Sequence, residues 1–167
     1  MMQRPTAAEL AWAVFIPRTI LGFVYLFAGV HKIVNVGPLA YGQAMAMTDG
    51  ARFLPAALLT AVGTLVPFME VALGVLVLVG LWTRPALHAL AALLCLIAAG
   101  YGISGLLHPV GATAMNITVV NTFIMPRAAL IIVTLMLPAD ADWLSIDGLR
   151  RWRRGPAAPG PHPAVGQ

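Results

Sequence analysis

The chain has 167 residues, of which 60 % are hydrophobic and 10 % charged, with a formal net charge of +4. Ordinary soluble domains carry about 25 % charged residues, so this composition excludes a globule covered by water on all sides. The positive excess does not mark a nucleic-acid binder, because most of it lies in one short stretch, RRWRR at 150–154, and a basic patch without its own domain is a weak form of that signal.

Runs of roughly 20 apolar residues are long enough to cross a bilayer as a helix. They occur over about 7–33, 54–82, 86–107 and 116–137. The expectation is an all-α integral membrane protein, a four-helix transmembrane bundle spanning 6–149, with a basic and then Pro/Gly-rich disordered tail over 150–167.

The first span opens with Thr6-Ala7-Ala8-Glu9, a capping-box pattern in which the threonine and glutamate satisfy free backbone N–H groups. TILGFVYLFAGV followed by AMA at 44–46 resembles a signal peptide, but His31 and Lys32 follow the apolar run directly and the spacer to Ala46 is too long. The segment is expected to remain as a span. Residues 35–53 hold Gly, Pro, Asn and Asp breakers and read as a loop with an interfacial helical turn. The second span begins near Leu54-Pro55 and ends at Leu81-Trp82-Thr83-Arg84-Pro85, where proline is expected to break the helix. The third runs from Ala86 to about Leu107, HPVGATAM is a turn, and NITVVNTFIMPRAALIIVTLML forms the fourth. After Pro138, DADWLSIDGLRRWRR reads as a short surface helix.

Apart from Glu9 and Lys32 at the two ends of the first span, three charges fall inside these spans: Arg18, Glu70 and Arg127. Charged side chains in a bilayer usually face the bundle interior and pair. Glu70 lies 12 residues before Trp82, Arg127 lies 11 before Pro138, and Arg18 lies 12 after Thr6. At about 1.5 Å per residue all three sit roughly 16–18 Å from the same end, which predicts one charged cluster and a candidate ligand pocket. Each has a proline nearby, Pro17, Pro67 or Pro126, which would free the carbonyls of Ala13, Gly63 and Thr122 for the guanidinium groups. A net positive cluster would suit an anion or a quinone carbonyl; an Arg–Glu network can equally serve architecture alone.

Other polar residues carry less. His31 and His108 fall at one rim, without a third ligand of metal spacing, so no metal site is expected. Cys95 is the only cysteine, which rules out an intrachain disulfide and suits a small buried hydrophobe. No catalytic constellation is recognisable, and enzyme activity in isolation is not expected.

Two stretches carry a family resemblance. The first span ends LFAGVHKI, with Phe27, Ala28, Gly29 and Lys32; the second contains EVALGVLVLVGLWTRPA, with Glu70, Gly74, Gly80, Thr83 and Arg84; and WLSIDGL supplies Ser145 and Asp147. Over about 18–149 the pattern resembles the DoxX family of small four-helix bacterial membrane proteins. The resemblance implies a multipass inner-membrane protein. It also implies a subunit of a redox, quinone-linked or oxidative-stress oxidoreductase complex, some relatives being subunits of thiosulfate:quinone oxidoreductase. Partners would be the lipid bilayer and other proteins, with a homo-oligomer compatible; no nucleic acid is expected. A non-catalytic scaffold or assembly factor is the alternative, and a small-molecule carrier a second.

Topology follows from the cations. With four spans both termini share a side, which holds Arg4, Arg84, Arg150, Arg151, Arg153 and Arg154 against Lys32 and Arg52 opposite; this excess predicts cytoplasmic termini. A fluorescent-protein fusion after Arg154 should therefore fluoresce, and an alkaline phosphatase fusion within 108–115 should be active. The reverse pair of signals would invert the orientation.

Overall fold

The computed structural model describes residues 5–47, 54–107, 120–138 and 141–153. The loop at 108–115 with His108, the expected start of the fourth span at 116–119 and the tail beyond Arg153 lie outside the described residues. Every regular element described is helical: α1 (Ala7–His31), a π-helical turn (Lys32–Val36), α2 (Pro38–Ala46), α3 (Ala56–Val79), α4 (Thr83–Leu107), a second π-helical turn (Val120–Ile124), α5 (Met125–Met136) and α6 (Ile146–Arg153).

The start of α1 follows from its cap. Thr6 Oγ1 accepts from the Glu9 backbone N–H at 3.2 Å, and Glu9 Oε2 accepts from the Thr6 N–H at 2.7 Å, closing the capping box. Both α1 and α3 keep a buried proline inside, Pro17 and Pro67. Helix α2 departs from the expected loop. Gly37 adopts a positive φ of 84°, Pro38 takes the first helical turn where its missing N–H is harmless, and nine residues stay helical. The interior Gly42 is there because Thr60 O and Thr64 of α3 close against it.

Helix α3 ends in a Schellman motif: the Leu81 N–H reaches Leu76 O at 2.9 Å, and the Gly80 N–H, from a left-handed φ of 70°, reaches Val77 O at 3.2 Å. Trp82 also has positive φ, 49°, so the reversal into α4 is tight. Helix α4 begins at Thr83, not Ala86, because Pro85 occupies its first turn and does not separate two spans. At the other end of the chain, the α-helix found among the described residues of the expected surface helix is Ile146–Arg153; Asp142, Ser145 and Gly148 are buried against the bundle.

Helices α1 and α3 run antiparallel and make the most extensive contact, with α2 on α3 and α5 on α1. Close approach comes from small residues. A Cβ on Gly74 would lie 2.7 Å from Leu26 N, on Gly29 2.7 Å from Pro67 O, and on Gly22 2.9 Å from Leu78 Cβ. The apolar core gathers Leu21, Tyr25, Val77, Leu87, Leu90 and Ile131 from α1, α3, α4 and α5. Outward, the helices remain apolar: Trp12, Ile16, Ile20, Phe23 and Phe27 are exposed along α1, and Leu58, Leu65, Phe68, Val75 and Val79 along α3.

Two helices, Ala7–Val36 and Ala56–Val79, are long and apolar enough to cross a membrane; Thr83–Ala99 and Thr122–Met136 are shorter apolar stretches. Apolar outer faces on helices of that length are consistent with a helical membrane protein. Cys95 lies on the exposed stripe of α4 with Ala92, Leu96 and Ala99, at helical spacing. It is therefore an outward-facing residue, not the buried one expected.

Two glycines of positive φ separate backbone strain from crowding. An alanine at Gly37 meets nothing nearer than 4.0 Å and should cost only strain, about 1–3 kcal/mol. At Gly80 the new Cβ would run into the Arg18 guanidinium and Ser145, adding an overpacking cost of about 1–3 kcal/mol. Thermal unfolding in detergent should rank Gly80→Ala well below Gly37→Ala; equal midpoints would refute the crowding.

Candidate functional site: two separate charge clusters

Arg18, Tyr25 and Lys32 follow one another at intervals of seven residues, two turns apart, and so share one face of α1. That face meets α3, but the three residues meet it at different heights. Arg18 is level with the last turn of α3, since it touches Val77 O and lies beside Gly80. Glu70 sits ten residues before Gly80, roughly 15 Å up the helix. The single Arg18–Glu70–Arg127 cluster expected from sequence is therefore not the arrangement found. The depth argument failed because α1 starts well beyond the α3–α4 turn, so counting from Thr6 and from Trp82 used different origins.

Glu70 pairs with Lys32, not with either arginine. Lys32 Nζ lies 2.6 and 2.7 Å from the two carboxylate oxygens. Helical side chains lean toward their own N-terminus. On antiparallel α1 and α3, Lys32 and Glu70 therefore lean toward each other across the gap left by Gly29. The carboxylate is 4 % exposed and the lysine 20 %, which places the pair in a low-dielectric setting where both charges need each other. The ammonium also lies 4.9 Å from the Tyr41 ring centroid, tying in α2.

Next to this pair stands Arg127, third residue of α5. Its Cζ lies 5.4 Å from the Tyr25 ring centroid and 5.3 Å from that of Phe123, one turn earlier. Tyr25 is within electrostatic reach of both Arg127 and Glu70. The Tyr25 hydroxyl and Arg127 Nε are buried and have no hydrogen-bond partner among the described residues.

The second cluster fastens the C-terminal segment to the α3–α4 turn. Arg18, 1 % exposed, donates to Val77 O at 3.3 Å and Leu144 O at 2.9 Å, and its Nε lies 3.6 Å from Asp142 Oδ1. Its carbonyl partners thus come from other elements, not from the groups freed by proline. The Asp147 carboxylate accepts from the Thr83 N–H at 3.1 Å, at the N-terminus of α4, while the Asp147 N–H reaches Gly80 O at 3.0 Å. A cation thus faces the carbonyl end of α3 and an anion the N–H end of α4, as the helix dipoles favour. Ser145 Oγ links Asp142 O and the Gly148 N–H. Arg84 joins α4 to the end of α5 through Leu137 O at 2.7 Å. A cavity of about 210 Å³ lies here, walled by Trp82, Arg84, Asp142, Asp147 and Arg151.

His31 is exposed and bonds Asn35 at 2.7 Å, and its proposed rim partner His108 is outside the described residues. Among those residues no three His, Cys, Asp or Glu side chains converge. Sequence reasoning missed Tyr25 and Asp142. The seven-residue spacing could have found Tyr25, whereas nothing local marks Asp142 as buried.

The comparisons with known proteins correct the family assignment. The family model described as methylamine utilisation protein MauE matches residues 10–113, more than half of the chain, and DoxX gives no match. Neither a curated protein nor a solved structure matches. The residues behind the DoxX resemblance have structural duties that any small helical bundle could share: Gly29 and Gly74 permit close helix contact, Lys32 neutralises Glu70, and Gly80, Thr83 and Asp147 shape one turn. The stretch from 10 to 113 carries α1 with Lys32, α3 with Glu70 and the turn that Arg18 holds, and on that match the chain belongs to the family of the methylamine utilisation protein MauE.

Proposed function

We propose that this protein is a non-catalytic membrane component of a redox-linked pathway of the methylamine utilisation kind, acting as a scaffold or assembly factor for partner proteins. The carrying observation is the use of its carboxylates. All four described ones are engaged within the chain: Glu9 accepts from Thr6, Glu70 from Lys32 and Asp147 from Thr83, while Asp142 is ion-paired with Arg18 at 3.6 Å and accepts from the Thr83 hydroxyl at 3.5 Å. Three of these contacts, those of Glu70, Asp142 and Asp147, join elements far apart in the chain, which is what an architectural role asks of them.

The reading has four spans in a bacterial inner membrane with both termini cytoplasmic. Support comes from the four tryptophans, all exposed, which lie toward the end where α1 begins, α3 turns into α4 and the C-terminal segment docks: Trp12, Trp82, Trp143 and Trp152. Tryptophan at that level and the arginines of α6 fit a membrane–water interface on the cytoplasmic side. Helix α6 then presents Leu149 and Trp152, both exposed, beside Arg150 and Arg153.

Breaking a buried pair from one side leaves a stranded charge and costs about 3–5 kcal/mol. In the native host, Glu70→Gln should therefore lower the amount of membrane-inserted protein and, in proportion, growth on methylamine. The exchange Lys32→Glu with Glu70→Lys should restore both together. Restored protein with absent growth would mean that the pair performs chemistry, and the scaffold reading would fall.

A further inference from the structure

We propose that Tyr25 and Arg127 form an intramembrane binding site for a small amphiphile that offers a hydrogen-bond-accepting oxygen, carboxylate or carbonyl, on an apolar body. This stands apart from the scaffold role and needs no protein partner.

The site is built from unused donors. The Tyr25 residue is 1 % exposed, and its hydroxyl has no hydrogen-bond partner among the described residues. Arg127 Nε is likewise buried and unpartnered, and the guanidinium has aromatic rings for neighbours and no carboxylate within ion-pair distance among the described residues. Buried polar groups are nearly always satisfied, and each one that is not calls for an explanation, such as a partner from outside the chain. A guanidinium is donor-only, with five N–H groups. A phenolic hydroxyl next to it can donate as well, so the missing group is an acceptor.

Charge counting agrees. The neighbouring Lys32–Glu70 pair is neutral as a unit, and Arg127 leaves one formal positive charge in that layer. Within a bilayer no water reaches the core to offset it. The chain cannot supply the acceptor from its described carboxylates, each of which is already engaged.

The amphiphilic character follows from depth and access. Arg127 precedes the end of α5 at Met136 by nine residues, roughly 14 Å along the helix. Arg127 as a residue is half-buried, and beside it the apolar Phe123 and Met125 are exposed, as is Thr122. A ligand arriving along that face comes from the lipid side. The π-helical turn Val120–Ile124 immediately precedes this stretch; π turns inside helices recur at functional sites, and here the turn carries Phe123 to the ring contact with Arg127.

Two probes distinguish the acceptors: radiolabelled oleate for a carboxylate and decylubiquinone for a carbonyl, each titrated into the full chain in nanodiscs of neutral lipid. At least one should bind saturably at one site. Tyr25→Phe and Arg127→Met should each weaken that probe tenfold or more, while Arg84→Ala leaves it unchanged. Oleate binding that survives in part in Arg127→Lys assigns a carboxylate; decylubiquinone binding alone assigns a carbonyl. Tyr25→Phe removes only an unsatisfied hydroxyl, so without probe its melting point should be unchanged or raised, which a structural role would not produce. The site is refuted if neither probe saturates, if both variants bind like the wild type, or if Tyr25→Phe melts lower without probe.

Discussion

The close antiparallel contact between α1 and α3 is what the remaining structure relies on. Gly22, Gly29 and Gly74 bring the two backbones together, with Leu26 N and Pro67 O within 2.7 Å of where a Cβ would stand. At that separation a lysine and a glutamate that lean toward opposite helix ends can bond both oxygens of one carboxylate. In lipid, apolar side chains gain little by leaving the tails for one another, so packing and internal polar bonds carry more of the association. Small residues and one bidentate ion pair supply both on a single interface.

A similar economy governs the cytoplasmic end proposed above. The turn between α3 and α4 leaves the carbonyls of one helix and the N–H groups of the next facing outward. Arg18 answers the first through Val77 O and Asp147 the second through Thr83 N. Because Arg18 also holds Asp142 and Leu144 O, residues far apart in the chain are joined at one point. Gly80 has two duties there, a left-handed φ for the Schellman turn and no side chain where the guanidinium passes. The first is the ordinary duty of a helix-ending glycine; the second is particular to this turn.

Long apolar runs made the helices of α1, α3 and α4 legible in the sequence, and the capping box at Thr6 and Glu9 formed as read. Glu70's need for a cation was equally legible, because an unpaired carboxylate in lipid is costly. Its partner was not. Lys32 was placed at a helix end by counting backbone positions, yet its side chain extends back along α1 toward the level of Glu70. Breaker residues misled twice: Pro38 and Pro85 stand in first helical turns, where proline is compatible with a helix. The glycine-containing motifs were read as a family signature although they record packing needs, and the family is that of MauE.

Composition and apolar run length alone pointed to a helical protein suited to a membrane, because so apolar a surface is poorly covered by water, and the family match agrees with that reading. They determined too that its few internal charges must be neutralised or bound. Only the tertiary structure decided how those charges are distributed: Lys32 with Glu70, Arg18 with Asp142, and Arg127 beside Tyr25, its Nε without an acceptor among the described residues. The physical reason is that helix offset sets depth. A sequence gives distances along each helix, but the relative shift of α1 against α3 is fixed by which glycines meet which backbone atoms, and a shift of two or three turns exchanges every partner.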